Sequence, residues 1–92
     1  MYYATKIKMC SGCEDSNKCI EIDSIYLTGS DTNQLYKKAT LYDHLKKHPD
    51  SIKVKDSFGP YLIPSLSSKD EKYVRSEPND TTEDNLLKLP RI

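Results

Sequence analysis

Short segments in which apolar and polar residues alternate recur along this chain, and one segment alone has the period of a helix. The alternating segments cover residues 3–9, 19–27, 51–55, 61–63 and 72–76. A strand that lies half-buried against a core has this two-residue period. In residues 41–48 the apolar side chains of Leu41, Tyr42 and Leu45 instead form one stripe of a helix. The pattern therefore predicts an α+β fold.

The order of these segments predicts a small, mostly antiparallel sheet with one helix on a face. Along the chain the order is β-β-α-β-β-β, followed by a short helical turn at the C-terminus. Thr40 is suited to be the N-cap of the helix, Asp43 would complete a capping box, and Pro49 stops the helix. The apolar phase of the second strand slips at Ser24, which predicts a β-bulge there. A length of 92 residues supports one core, so we expect a single domain over 1–92.

The composition argues against several classes of partner. Lys plus Arg and Asp plus Glu number 14 each, so no overall field favours a nucleic acid or a membrane surface. No stretch approaches the ~20 apolar residues of a membrane helix, and the N-terminus lacks the apolar run of a signal peptide.

Three cysteines, an odd number, fit a reduced protein better than a disulfide framework. We therefore expect a cytoplasmic protein.

Several segments resemble a known family. Residues 73–76, with the sequence Tyr-Val-Arg-Ser, then a short polar loop and the segment Asp84–Pro90 are similar to the ending of a bacterial family catalogued as domain of unknown function 3892. Residues 5–7 and 20–22 resemble strands of the same family, whose members place one helix in mid-chain. The resemblance implies an α+β architecture over most of the chain. Because the family has no assigned activity, the resemblance implies none.

The C-terminal segment also has a structural interpretation of its own. Asp84 or Asn85 can cap a short helical turn, and the leucines of that turn can then close the open end of a small core. These leucines are Leu86, Leu87 and Leu89. We expect each of them to contribute strongly to the stability of so small a domain.

The cysteines near the N-terminus suggest a metal site. Cys10 and Cys13 have the spacing of zinc ligands, and Cys19 is close in sequence. His44 and His48 lie on one helical face, and His48 is the preferred fourth ligand because it is nearer the apolar stripe. We favour a set of free thiols with no cofactor over this zinc site. A thioredoxin-like redox pair would need the motif at the start of a helix, whereas here it lies in a polar loop.

No sequence motif indicates catalysis, since the chain has no nucleophile elbow, glycine-rich phosphate loop or His-Glu-x-x-His arrangement. We expect a non-catalytic accessory or protein-interaction module that acts through a sheet edge or an aromatic patch. The patch would be drawn from Tyr2, Tyr3, Tyr26, Tyr36, Tyr42, Tyr61 and Tyr73. The alternative is a zinc-stabilised nucleic-acid-binding domain that uses the basic segment 37–55. The candidate interaction residues are Tyr42, Lys46 and Lys47. Nucleic acid is the less favoured partner, because a solvated helix face and strand edge also explain these lysines.

Overall fold

A computed structural model describes residues 1–29, 31–77 and 84–92. The strands are β1 (Tyr2–Met9), β2 (Ile22–Thr28), β3 (Asn33–Lys37), β4 (Ile52–Val54), β5 (Leu62–Leu66) and β6 (Lys72–Ser76). The α-helix, α1, spans Lys38–Lys47, and short 3-10 turns span Cys19–Glu21 and Asn85–Lys88. The predicted α+β class, with one main helix and a C-terminal helical turn, is confirmed. None of the helices in the described residues is long and apolar enough to span a membrane.

The strands form two sheets where the sequence predicted one. A four-stranded sheet has the order β3-β2-β1-β4, and β5 pairs with β6 in a separate two-stranded sheet. β2 is antiparallel to both β1 and β3, whereas β4 is parallel to β1. The C-terminal tail extends the same edge of β1, where Ile7 donates its N–H to the carbonyl of Pro90 and accepts from the N–H of Ile92, both at 2.9 Å. β1 is therefore paired along both edges.

The core lies between one face of the four-stranded sheet and a second layer. That layer consists of α1, the β5–β6 sheet and the C-terminal turn, and α1 packs mainly on β5 and β6. The large side chains that are fully buried are Ile7, Ile22, Ile25, Leu45, Ile52, Leu62, Val74 and Leu86. Because every layer contributes at least one of them, removing any layer opens the core.

Two register shifts in the β1–β2 pair decide which side chains face the core. The shift between Ser24 and Ile22 confirms the bulge predicted in β2. A second shift, between Ala4 and Lys6, was not predicted. It places Ala4 in the core, fully buried, and leaves Tyr3 only half-buried on the opposite side of the sheet.

The region between β2 and α1 differs from the sequence-based prediction. β3 was not predicted, because its side chains are mostly exposed and show no apolar alternation. α1 follows β3 directly, so its N-cap is Lys37, in an extended conformation and without a side-chain cap. The predicted capping by Thr40 is therefore wrong, since Thr40 lies inside the helix. Asp43 instead forms an ion pair with Lys72 at 2.8 Å.

The C-terminal turn has the capping that the sequence predicted. The Asp84 carboxylate accepts hydrogen bonds from the N–H of Leu86 at 2.9 Å and from the hydroxyl of Ser76 at 2.8 Å. It therefore ties the turn to the end of β6. Leu86, Leu87 and Leu89 are buried. The polar loop predicted before this turn falls largely on residues 78–83, outside the described part of the chain.

Candidate functional site

The side of the four-stranded sheet that points away from the core carries polar and aromatic side chains in three rows. Each row runs across neighbouring strands, as the strand register shows. The first row is Asn33, Thr28, Tyr3 and Lys53. The second is Leu35, Tyr26 and Lys6, and the third is Lys37, Ser24 and Lys8. All of them except Ser24 are half-buried or exposed. We call this set of residues the outer face.

Two tyrosines of the outer face lie on the two central strands. Tyr3 on β1 pairs with Thr28, and Tyr26 on β2 pairs with Lys6, so the two tyrosines are diagonal neighbours. Such neighbours are typically ~7–8 Å apart. The Tyr26 hydroxyl donates to the side-chain oxygen of Asn33 at 2.8 Å, which holds the ring along the surface of the sheet. We call these two rings, on the two central strands, the aromatic platform.

Tyr61 extends this platform beyond β4. It forms an isolated antiparallel bridge with Lys53, whose ammonium nitrogen lies 4.8 Å from the centre of the Tyr61 ring. The ammonium nitrogen of Lys6 lies in the same way 5.4 Å from the ring centre of Tyr26. Aromatic rings and ammonium groups therefore alternate across the sheet.

The outer face is positively charged although the whole chain is neutral. Lys37 forms an ion pair with Asp23 at 3.0 Å. The hydrogen bond from the Ser24 hydroxyl, and then the one from Lys37, lower the pKa of Asp23, so its carboxylate stays ionised at neutral pH. Lys6, Lys8 and Lys53 form no ion pair among the described residues. Their charges are therefore available to an anionic partner.

The predicted aromatic patch is divided between two sides of the four-stranded sheet. Tyr3 and Tyr26 belong to the outer face, and Tyr61 adjoins it. Tyr2 and Tyr36 pack against the core on the other side of the sheet. The seven tyrosines therefore do not form one continuous patch, and the role of the patch stays a prediction.

The predicted basic segment 37–55 does not form one surface. Lys37 and Lys53 belong to the outer face, whereas Lys38 is turned inward and donates to the carbonyl of Ile20 at 2.6 Å. Lys46 and Lys47 are exposed on α1. Tyr42 is only 8% exposed and belongs to the core, so little of its ring is available for the predicted surface contact.

The four predicted zinc ligands do not converge. The Cys13 thiol donates to the Glu21 carboxylate at 3.1 Å, and Cys19 packs against the core, where burial and then the nearby Asp84 raise its pKa to about 12. His48 is exposed at the end of α1. Within residues 1–29, 31–77 and 84–92, no three His, Cys, Asp or Glu side chains form a group that could hold a metal ion. The predicted shell of Cys10, Cys13, Cys19 and His48 is thus not assembled.

His44 occupies a different environment from His48. Its ring nitrogen Nε2 is 3.1 Å from the Ser51 hydroxyl, and its ring meets that of Tyr2 edge-on at 6.1 Å. Burial, and secondly the charge of His48, lower the pKa of His44 below its ordinary value of 6.5. The lowered pKa makes the stability of the folded chain depend on the protonation of His44.

Because the pKa of His44 is lower in the folded chain, the unfolded chain takes up its proton first as the pH falls. We expect the free energy of unfolding to decrease as the pH drops below about 6.5. His44→Gln should flatten this dependence. His48→Gln should leave most of it, because burial is the larger cause. Urea unfolding at several pH values measures both effects, and equal slopes in the wild type and His44→Gln would contradict the assignment.

A groove of about 710 Å³ lies between β4 and the C-terminal tail. Thr5, Lys55, Phe58, Asn85 and Pro90 are among the residues that line it. Neither a histidine nor a cysteine is part of this lining.

Comparison with known proteins identifies a family. A model of the family DUF3892, described as a protein of unknown function, matches residues 5–90. Comparisons with curated proteins and with solved structures gave no match. The matched region begins inside β1 and ends in the C-terminal tail, so it includes the buried leucines of the terminal turn and all of the outer face except Tyr3. The resemblance seen in the sequence is confirmed, and the chain belongs to the DUF3892 family of domains of unknown function.

Proposed function

We propose that this chain is a non-catalytic binding module that holds single-stranded nucleic acid on its outer face. The observation that carries the proposal is the position of Tyr3 and Tyr26 on the two central strands, surrounded by lysines. Every base has a π face, so exposed aromatic rings bind successive bases with little regard to sequence. Lysine ammonium groups neutralise the phosphates between those bases.

Base stacking can compete with the contact that Lys6 makes to Tyr26. An exposed cation–π contact contributes about 0.5–1 kcal/mol. Stacking of a base on an aromatic side chain contributes about 1–3 kcal/mol. A base would therefore displace the ammonium group from the ring. Lys6, which is exposed, would then be free to meet a phosphate.

The charges of the outer face set the expected affinity. Because the whole chain is neutral, no long-range field steers a nucleic acid to it, and we expect modest affinity. Lys6, Lys8 and Lys53 are the lysines of this face without an ion pair among the described residues. If each neutralises one phosphate of a single strand, the logarithm of the binding constant should fall with the logarithm of salt concentration with a slope of about −2.

The predicted protein partner is the competing outcome. An acidic peptide would also bind to the lysines, but its binding would not need a planar group stacked on the Tyr26 ring. A duplex would meet the lysines as well, but its bases are already stacked on one another. Preference for single strands, together with dependence on the tyrosine ring, therefore separates the three partners.

We expect the chain to bind a fluorescent single-stranded oligonucleotide more tightly than the matching duplex at low salt. Tyr26→Ala should weaken this binding roughly 5- to 150-fold, which corresponds to the loss of one stacked base. Tyr26→Phe keeps the ring and should bind nearly as well as the wild type. Fluorescence anisotropy against salt concentration measures affinity and slope together.

Lys46→Gln with Lys47→Gln is the matched control, because it removes two exposed lysines from α1 and leaves the outer face intact. This variant should bind like the wild type, whereas Lys6→Gln with Lys53→Gln should bind more weakly. Loss of binding in the helix variant alone would transfer the site to the basic segment predicted from the sequence. No binding to any oligonucleotide at low salt would end the nucleic-acid proposal.

A further inference from the structure

The segment from Cys10 to Cys13, just beyond β1, is a closed turn. The N–H of Cys13 donates to the carbonyl of Cys10 at 2.9 Å, and Gly12 has a φ of +82°. A type II β-turn has this hydrogen bond and requires a positive φ at its third residue. A Cβ on Gly12 would meet nothing within 4 Å, so the backbone conformation alone, and not crowding, favours glycine.

The geometry of this turn suits a disulfide. The first and last Cα atoms of a β-turn lie within about 7 Å of each other, and disulfides join Cα atoms about 4.4–6.8 Å apart. Both thiols are free and half-buried. Rotation of the two side chains can therefore bring the sulfur atoms together without a change in the fold.

We propose that Cys10 and Cys13 form a reversible thiol–disulfide site that is oxidised by a low-molecular-weight disulfide such as glutathione disulfide. The site lies on a different part of the chain from Tyr3 and Tyr26, and the inference does not depend on nucleic-acid binding. It assigns a modification to the same cysteines for which the sequence had suggested zinc.

Cys19 does not compete for this chemistry. It packs against the core, and burial raises its pKa to about 12, so it is almost entirely protonated at neutral pH. Because the thiolate is the attacking form, a protonated and partly buried thiol reacts slowly. The three cysteines thus divide into one reactive pair and one inert residue.

The exchange proceeds in two steps. The Cys10 thiolate attacks one sulfur of glutathione disulfide, forms a mixed disulfide and releases one glutathione thiolate. The Cys13 thiolate then attacks the Cys10 sulfur, forms the internal disulfide and releases the second glutathione. Two protein thiols are oxidised and one glutathione disulfide is reduced. The two protons lost by the protein are taken up by the two glutathione thiolates.

Glu21 is the positioning residue of this pair. Its carboxylate accepts hydrogen bonds from the Cys13 thiol at 3.1 Å and from the Ser16 hydroxyl. The hydrogen bond to Glu21 is the main reason why the pKa of Cys13 is raised, and the negative charge of Glu21 acts in the same direction. Because this hydrogen bond engages the Cys13 thiol and lowers the fraction of its thiolate, we assign the first attack to Cys10.

The test is to equilibrate the full chain in glutathione redox buffers, quench the exchange with acid, alkylate the remaining thiols in denaturant, where Cys19 is accessible, and measure the mass. The wild type and Cys19→Ser should each lose two hydrogen atoms, with Cys19 still alkylated in the wild type. Cys13→Ser should stop at the mixed disulfide with glutathione. Glu21→Gln should shift the pH dependence of the second step to lower pH, an effect that a purely structural role would not produce.

Two results would overturn the inference. One is a wild-type chain that accumulates the mixed disulfide without closing to the internal disulfide. The other is loss of the internal disulfide in Cys19→Ser, which would show that Cys19 is a partner in the bond. Gly12→Ala tests the geometry separately, because straining the turn should lower the fraction of internal disulfide in the same buffer.

Discussion

Replacing Leu86 by alanine should lower the free energy of unfolding by roughly 2–5 kcal/mol, a large fraction of the stability of a small domain. Leu86 is 0% exposed and lies on the C-terminal turn, which contacts both β1 and β6. The turn itself is fixed by Asp84, so it cannot easily move inward to fill the cavity. Denaturant unfolding followed by circular dichroism measures the change.

Lys88→Ala is the matched control, since Lys88 lies on the same turn and is exposed. It should change the free energy of unfolding by no more than about 0.5 kcal/mol. Truncation after Thr82 removes the three buried leucines together with the tail that pairs with Ile7, and it should abolish cooperative unfolding. A truncated chain that unfolds cooperatively at nearly the same midpoint would show that the turn does not close the core.

Replacing Gly59 by alanine should cost roughly 3 kcal/mol or more. A Cβ at this position would lie 1.7 Å from the carbonyl oxygen of Val54. The position of a Cβ is fixed by the backbone, and the atom that it would meet is itself a backbone oxygen. No side-chain rotation can therefore relieve the clash, and the loop between β4 and β5 must open. Opening the loop would weaken two backbone hydrogen bonds. One runs from the N–H of Gly59 to the carbonyl of Asp56 at 3.0 Å, and the other from the N–H of Val54 to the carbonyl of Pro60 at 2.8 Å.

Gly12→Ala separates crowding from backbone strain. Gly12 has a positive φ but open space around it, so alanine should cost only the roughly 1–2 kcal/mol of a left-handed conformation. Thermal unfolding of the two variants gives the comparison directly. Equal losses in Gly59→Ala and Gly12→Ala would show that the contact with Val54 is not the cause.

Some elements of the fold follow from local sequence, and others depend on pairing. β6 has the predicted bounds because its alternation is regular and one face is buried. β3 could not be predicted, since it is a strand only through its hydrogen bonds to β2 and lacks a buried face. The parallel pairing of β1 with β4 and the division into two sheets are likewise properties of the assembled chain.

The outer face also depends on the pairing of distant segments, so local sequence could predict only part of it. Its tyrosines were recognised in the sequence, but Lys6, Lys8 and Lys53 come from two segments that are far apart in the chain. They share a surface because the register of the strands, including the unpredicted shift between Ala4 and Lys6, aligns them. Local clustering instead drew attention to Lys46 and Lys47 on the helix. Charge density along the chain was therefore a poor guide to charge density on the surface.

The pairing of β1 along both edges has a consequence for the order of folding. Its contacts with β2 close a loop of modest length, whereas those with Arg91 and Ile92 join residues that are almost a full chain length apart. Closing the longer loop costs more conformational entropy, and contacts of such long range slow folding. The β1–β2–β3 meander should therefore form first and the tail should dock last. Leu86→Ala should accordingly accelerate unfolding while it leaves the folding rate nearly unchanged.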